Sequence, residues 1–320
     1  MTFARALSGR RLSASALCLS VLLPLPAVAA DPETCSTIRL SDPGWTDITA
    51  TNAVAAVLLE GLGYTPEIRN LSVPIGYEAI RNGDIDVFLG NWMPAQQHFI
   101  DDLNAANAVE VLARNLEGAV FTLAVNPAGA ELGVADFADL SDHADAFNRT
   151  IYGIEPGAPA NENIRNMIES GDFDLSDWTL MESGEQAMLA QVQRNDRAGR
   201  PAVFLAWAPH PMNTAIDITY LSGGDDYFGP DYGGAEVFTL ARTGWSDECP
   251  NAATFFGNLV FELEMENALM GAILDEGADP QDAARDWISE NPAVLETWLD
   301  GVTTLSGEPG LPAVQGALGL

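Results

Sequence analysis

Short apolar runs that stop at glycine or proline alternate along this chain with stretches whose apolar residues recur every three or four positions, a pattern that predicts an α/β protein. Ile38-Arg39-Leu40 predicts a first strand. Val54, Val57, Leu58 and Leu62 then place a helix over 48–62, ended by Gly61 and Gly63. Thr65–Arg69 follows as a second strand, Pro74–Ile80 as a short helix and Asp86–Leu89 as a third strand. This β-α-β-α-β order implies right-handed crossovers and a doubly wound sheet. Near Glu117-Gly118-Ala119 the rhythm changes, and Val120–Val125 predicts the start of a second sheet, joined by strands at Thr150–Ile154 and Val203–Leu205 and by helices from Asn163 and Glu185. From about Pro211 the chain is expected to return to the first domain, and a run of helices is predicted over 252–299. A chain that leaves one α/β lobe, builds another and comes back places its site in the cleft between them, a geometry that permits closure on a ligand.

Three of the apolar runs lead directly to a tryptophan: Ile38–Leu40 to Trp45, Val87–Leu89 to Trp92 and Val203–Leu205 to Trp207. Each is predicted on a loop tip just past its strand's carboxyl end, where open α/β sheets bind ligands. A single tryptophan in such a place would ordinarily serve packing. Three in the same context predict a site. Trp178, Trp245, Trp287 and Trp298 lie in helical or turn contexts and are read as packing, and His210, set between two prolines, as a loop residue.

The length of 320 residues suits two domains. A net charge of -32, with all 14 basic residues arginine, excludes nucleic acid and anionic lipid as partners and gives cationic ligands a modest attraction. Residues 1–30 read as a signal peptide: Arg5, Arg10 and Arg11 precede an apolar stretch from Leu12 to Leu25, and Ala27-Val28-Ala29 forms a small-residue cleavage site. The chain is therefore expected in the periplasm. Removal of that segment leaves Cys35 and Cys249, an even pair in an exported protein, which predicts a disulfide in place of a metal site or a nucleophile. No Gly-x-Ser-x-Gly elbow occurs, and His98, His143 and His210 stand outside metal-ligand spacing, so neither catalysis nor a metal or other cofactor is expected.

Gly44-Trp45-Thr46-Asp47, Gly90-Asn91-Trp92-Met93-Pro94, Gly153-Ile154-Glu155-Pro156-Gly157 and Trp207-Ala208-Pro209-His210-Pro211-Met212-Asn213, in that order, resemble the periplasmic choline/glycine-betaine-binding proteins of ABC importers, most of all the choline-binding type. The resemblance spans the mature chain. It implies a two-lobe, type II-like binding protein with residues 31–116 and 212–320 in one lobe and 117–211 in the other. Such a protein binds its ligand in the cleft and delivers it to a membrane permease; it is expected to be a monomer. A quaternary ammonium has no N–H to donate, so its diffuse charge is best met by aromatic faces, each contributing about 0.5–2 kcal/mol when desolvated. By motif match, Trp45, Trp92 and Trp207 form three walls of that box. Phe121 stands as the fourth, where the choline-binding type carries Tyr. Asp47 matches the acid that accepts the choline hydroxyl. An Asn of that type's Glu-Pro-Gly loop corresponds here to Ala158 or Asn161, of which Asn161 is carried as a polar contact. Choline is the implied ligand. Glycine betaine, carnitine and dimethylsulfoniopropionate, which the same box accepts, are the alternatives.

Overall fold

A computed structural model describes residues 1–2 and 30–320; the signal-peptide reading of residues 1–30 falls almost wholly outside them. Among the described residues nine strands form one continuous curled sheet. They are β1 (Thr37–Asp42), β2 (Thr65–Asn70), β3 (Val87–Met93), β4 (Val109–Val125), β5 (Thr150–Tyr152), β6 (Thr179–Met181), β7 (Val203–Ala208), β8 (Thr219–Tyr220) and β9 (Gly234–Arg242). Their order is β2-β1-β3-β9-β4-β7-β5-β6, with β8 set on β4. Two βα halves are parallel within themselves, β2-β1-β3 and β7-β5-β6. Antiparallel β9 and β4 lie between these halves.

The run at Val120–Val125 does not begin a separate sheet. It is the second part of β4, whose residues 109–120 pair with β9 and whose residues 120–125 pair with β7. Gly118, at φ +79°, and register shifts around Arg114, Leu116 and Ala119 let this one strand bend as it passes from its pairing with β9 to its pairing with β7. Trp92 and Trp207 are likewise strand residues, not loop tips. Trp92 pairs with Val237 of β9 and Trp207 with Phe121 of β4, so antiparallel neighbours carry each strand past the glycine or apolar run at which it was expected to end. The alternating burial of β9, which forms half of this bridge, went unread in the sequence.

Helix α1 (Thr46–Gly61) has no polar face: every residue from Thr46 to Leu59 except Thr49 is buried. It packs beneath β1 and against the helices Leu263–Leu274 and Pro280–Glu290 of the C-terminal run. Just before β3, buried Asp86 accepts from Arg39 Nε at 2.8 Å and Arg242 Nε at 3.0 Å. Against the cost of burial, these arginines hold its carboxyl below the usual range and clip β1, β3 and β9 together.

Cys35 and Cys249 form a disulfide with a Cα separation of 5.8 Å. Beside it the buried Asp31 carboxylate accepts from the Asn251 and Ala252 amides and from the Tyr64 hydroxyl, which fastens the start of the described fold to the helix Pro250–Asn258. The bridge closes a 214-residue separation. For a loop this long the chain-entropy argument gives about 5 kcal/mol. Cys35→Ser/Cys249→Ser is therefore expected to unfold at clearly lower denaturant in equilibrium titrations; an unchanged midpoint would show that the bridge adds no stability.

Candidate functional site

Each wall of the site is placed by a different piece of chain. Trp45 is the N-cap of α1, held extended (φ -85°, ψ 137°) after Gly44, whose φ of +87° makes the turn out of β1. Trp92 stands near the end of β3. Phe121 and Trp207 face one another across the β4/β7 ladder, and directly opposed residues of an antiparallel pair share one face of the sheet. The ring centroids of Trp92 and Phe121 lie 6.1 Å apart. Phe121 is backed by Phe228 at 5.9 Å, and its carbonyl lies where a Cβ on Gly233 would come, at 2.0 Å, so only glycine fits behind this wall.

These four rings and Asp47 line a single cavity, together with Ala95, Gln96, Ile154, Pro159 and Ala160. The Trp45 Nε1–H donates to Glu155 at 2.9 Å and the Trp92 Nε1–H to Asp47 at 3.0 Å. Both polar indole edges are thus tied to carboxylates, which leaves the π faces for the cavity. Gln96 contributes little polarity: its side chain accepts from the Tyr77 hydroxyl and donates to the Gly90 carbonyl at 3.1 Å.

Asp47 is 2% exposed. Its Oδ2 takes the Trp92 N–H, whereas its Oδ1 has no hydrogen-bond partner. Burial pushes its carboxyl up to about 7, and the charge of Glu185 adds to the rise, against the pull of the Ile48 amide and the Trp92 indole. Glu155 is pushed up to about 7, again by burial first, and Asp42 is raised by burial. Glu266, fully buried, is raised by burial and by Asp47. No arginine lines the cavity among the described residues. The chamber is therefore aromatic-walled and acid-floored, suited to a cation that cannot donate hydrogen bonds.

Of the sequence-predicted site residues, Trp45, Asp47, Trp92, Phe121 and Trp207 meet at this cavity; Asn161 does not line it. Its amide is fully engaged in fixing the loop after β5. Oδ1 accepts from the Ile154 amide at 3.1 Å, and Nδ2 donates to the Ile154 and Glu155 carbonyls and to Glu182, each at 2.9 Å. A Cβ on Gly153 would lie 2.4 Å from that Oδ1, so Gly153 and Asn161 form one interlocked turn. Ala158 is buried at the N-cap of the helix Pro159–Ser170 and offers no polar side chain. The sequence placed Glu155 in a loop motif and Glu185 at a helix start, and gave neither a role in the site.

The sequence profile of the substrate binding domain of the ABC-type glycine betaine transport system matches residues 36–290. The chain belongs to this family. This substrate-binding protein is 49% identical over 156 residues to an uncharacterized protein, ORF1, of Chromohalobacter salexigens, a match covering 49% of the chain and 97% of that relative. It is 32% identical over 190 residues to the glycine betaine/carnitine transport binding protein GbuC of Listeria monocytogenes, covering 59% of the chain and 60% of that protein. Among solved structures, an ABC-transporter choline binding protein in complex with choline superposes with a TM-score of 0.89 at 52% identity, over 90% of this chain and 100% of that one. A lactococcal glycine betaine complex superposes at 0.74 with 25% identity, over 82% and 99%. The binding protein thus has the two-lobe fold of extracytoplasmic components of ABC importers. It is a transport protein, not an enzyme.

Proposed function

We propose that this binding protein captures choline in the cavity between Trp45, Trp92, Phe121 and Trp207 and hands it to an ABC permease. The observation that carries the reading is the pairing of four aromatic faces with one buried, unpartnered acceptor, Asp47 Oδ1. The trimethylammonium would sit among the rings, and the ligand hydroxyl would donate to Asp47 Oδ1. Glycine betaine, carnitine and dimethylsulfoniopropionate carry a carboxylate that would meet Asp47 and find no arginine to pair with, so they stand second. The choline complex of the 52%-identical relative supports the same reading. We place the protein in the periplasm as a monomer. One lobe is assigned residues 31–116 and about 230–320, the other residues 117 to about 229. The return is set later than residue 212 because β8 pairs with Ala124–Val125 and Phe228 packs on Phe137.

Calorimetric titration of the protein from Asp31 onward with choline, glycine betaine and dimethylsulfoniopropionate is the test. Choline is expected to bind tightest. Asp47→Ala is expected to weaken choline by about ten- to a hundredfold, the range for a hydrogen bond to a charged group, and glycine betaine far less. Equal losses for both ligands, or a wild-type preference for the zwitterions, would overturn the assignment.

A further inference from the structure

Glu185, the first residue of the helix Glu185–Arg197 in the second lobe, reaches across the cleft to the first. Its Oε2 accepts the Thr46 amide at 2.9 Å and its Oε1 the Thr46 hydroxyl at 2.7 Å. Thr46 stands between Trp45 and Asp47, so the carboxylate grips the first turn of α1, where free amides and the helix dipole favour an anion, between two cavity residues. A third donor comes from Glu185's own lobe. The Met212 amide donates to His210 Nδ1 at 2.9 Å, which leaves the proton of a neutral imidazole on Nε2, 3.1 Å from Glu185 Oε1. His210 also stands edge-on to Trp207, with ring centroids 5.0 Å apart. One chain of contacts therefore runs from a wall on the second lobe, through His210, Glu185 and Thr46, to a wall on the first.

We infer that Glu185 is a positioning residue that latches the lobes shut over the ligand, with His210 holding its carboxylate ready when they part. Opening removes both Thr46 bonds and keeps the His210 bond, so Glu185 is never stranded without a donor. The latch rests on the reading of the cavity as an onium site. It acts after encounter: the latch forms only as the lobes close over the ligand, whereas departure must break it.

Glu185→Gln is the discriminating variant, because an amide matches the carboxylate in shape and fails in chemistry. One orientation sets its NH2 against the Thr46 N–H, the other against His210 Nε2–H. Stopped-flow tryptophan fluorescence with choline is expected to show dissociation about tenfold or more faster in Glu185→Gln and association within about twofold of wild type. Thr46→Val, which removes one of the two bonds, should raise dissociation less, and the double variant should do no more than Glu185→Gln alone. Small-angle scattering of the choline-saturated proteins should show a larger radius of gyration for Glu185→Gln. Unchanged dissociation, equal changes in both rates, or additive effects of the two substitutions would overturn the latch. Should Glu185→Gln fail to fold, Thr46→Val carries the kinetic test alone. Should wild type ignore choline but bind glycine betaine or dimethylsulfoniopropionate, the choline reading falls and the same measurements with that ligand decide the latch.

Discussion

Trp207→Leu is expected to weaken choline binding on the order of 100-fold, and Trp207→Phe only by several-fold. The first substitution removes a cation–π face of about 0.5–2 kcal/mol together with the contact area of a buried ring; the second retains a face. Leucine is preferred to alanine because Trp207 is 4% exposed and lies in the β4/β7 ladder, where a truncation to alanine would cost about 3–5 kcal/mol of folding stability and confuse the reading. Trp92→Leu should weaken binding at least as much, since it also strips Asp47 Oδ2 of its indole donor. The neutral carbon isostere of choline, 3,3-dimethylbutan-1-ol, separates charge from shape. Wild type should bind it far more weakly, and the Leu-to-Phe difference at position 207 should nearly vanish for it. Wild-type choline affinity in Trp207→Leu, measured by calorimetry, would remove that ring from the site.

Trp45, Trp92 and Trp207 were legible because a large aromatic placed after a short apolar run is rare enough to be noticed three times. Their secondary structure was read less well. Whether a strand stops at Gly90 depends on β9 lying alongside, and that antiparallel neighbour is more than 140 residues away in the chain. Glu155 and Glu185 were invisible as site residues for a different reason. In a chain with 46 acidic residues a carboxylate carries almost no information; what marks these two is burial and the indole or amide each one faces, which only the fold provides. Asn161 shows the converse. Its place after the Glu-Pro-Gly loop suggested a ligand contact, yet the same short reach lets its amide satisfy the loop's own backbone, which leaves nothing to offer a ligand.

Choline affinity is expected to rise about tenfold between pH 6 and pH 8 and to flatten above, because a single acid titrating near 7 must lose its proton for the cation to bind well. Asp47 is the group concerned: burial and Glu185 push it up to about 7 in the protein, and a trimethylammonium beside it would stabilise the carboxylate and lower it again. The charges of Glu185 and Asp42 help to keep the proton on Asp47 before the ligand arrives. The sign for folding is opposite. An acid whose native value lies above its unfolded one holds protons in the native state between about pH 4 and 7, so its contribution to stability declines as pH rises through that window. A bound cation offsets the decline, and the thermal shift produced by choline should therefore grow from pH 6 to pH 8. Calorimetry at pH 7 in buffers of different ionisation enthalpy should register proton release on choline binding, and Asp47→Asn should lose most of both the release and the slope. Glycine betaine is expected to behave the other way. Its carboxylate is better tolerated by a protonated floor, so its affinity should fall as pH rises, and a choline affinity that fell in the same manner would mean that Asp47 serves choline in its protonated form, which would overturn its role as an acceptor.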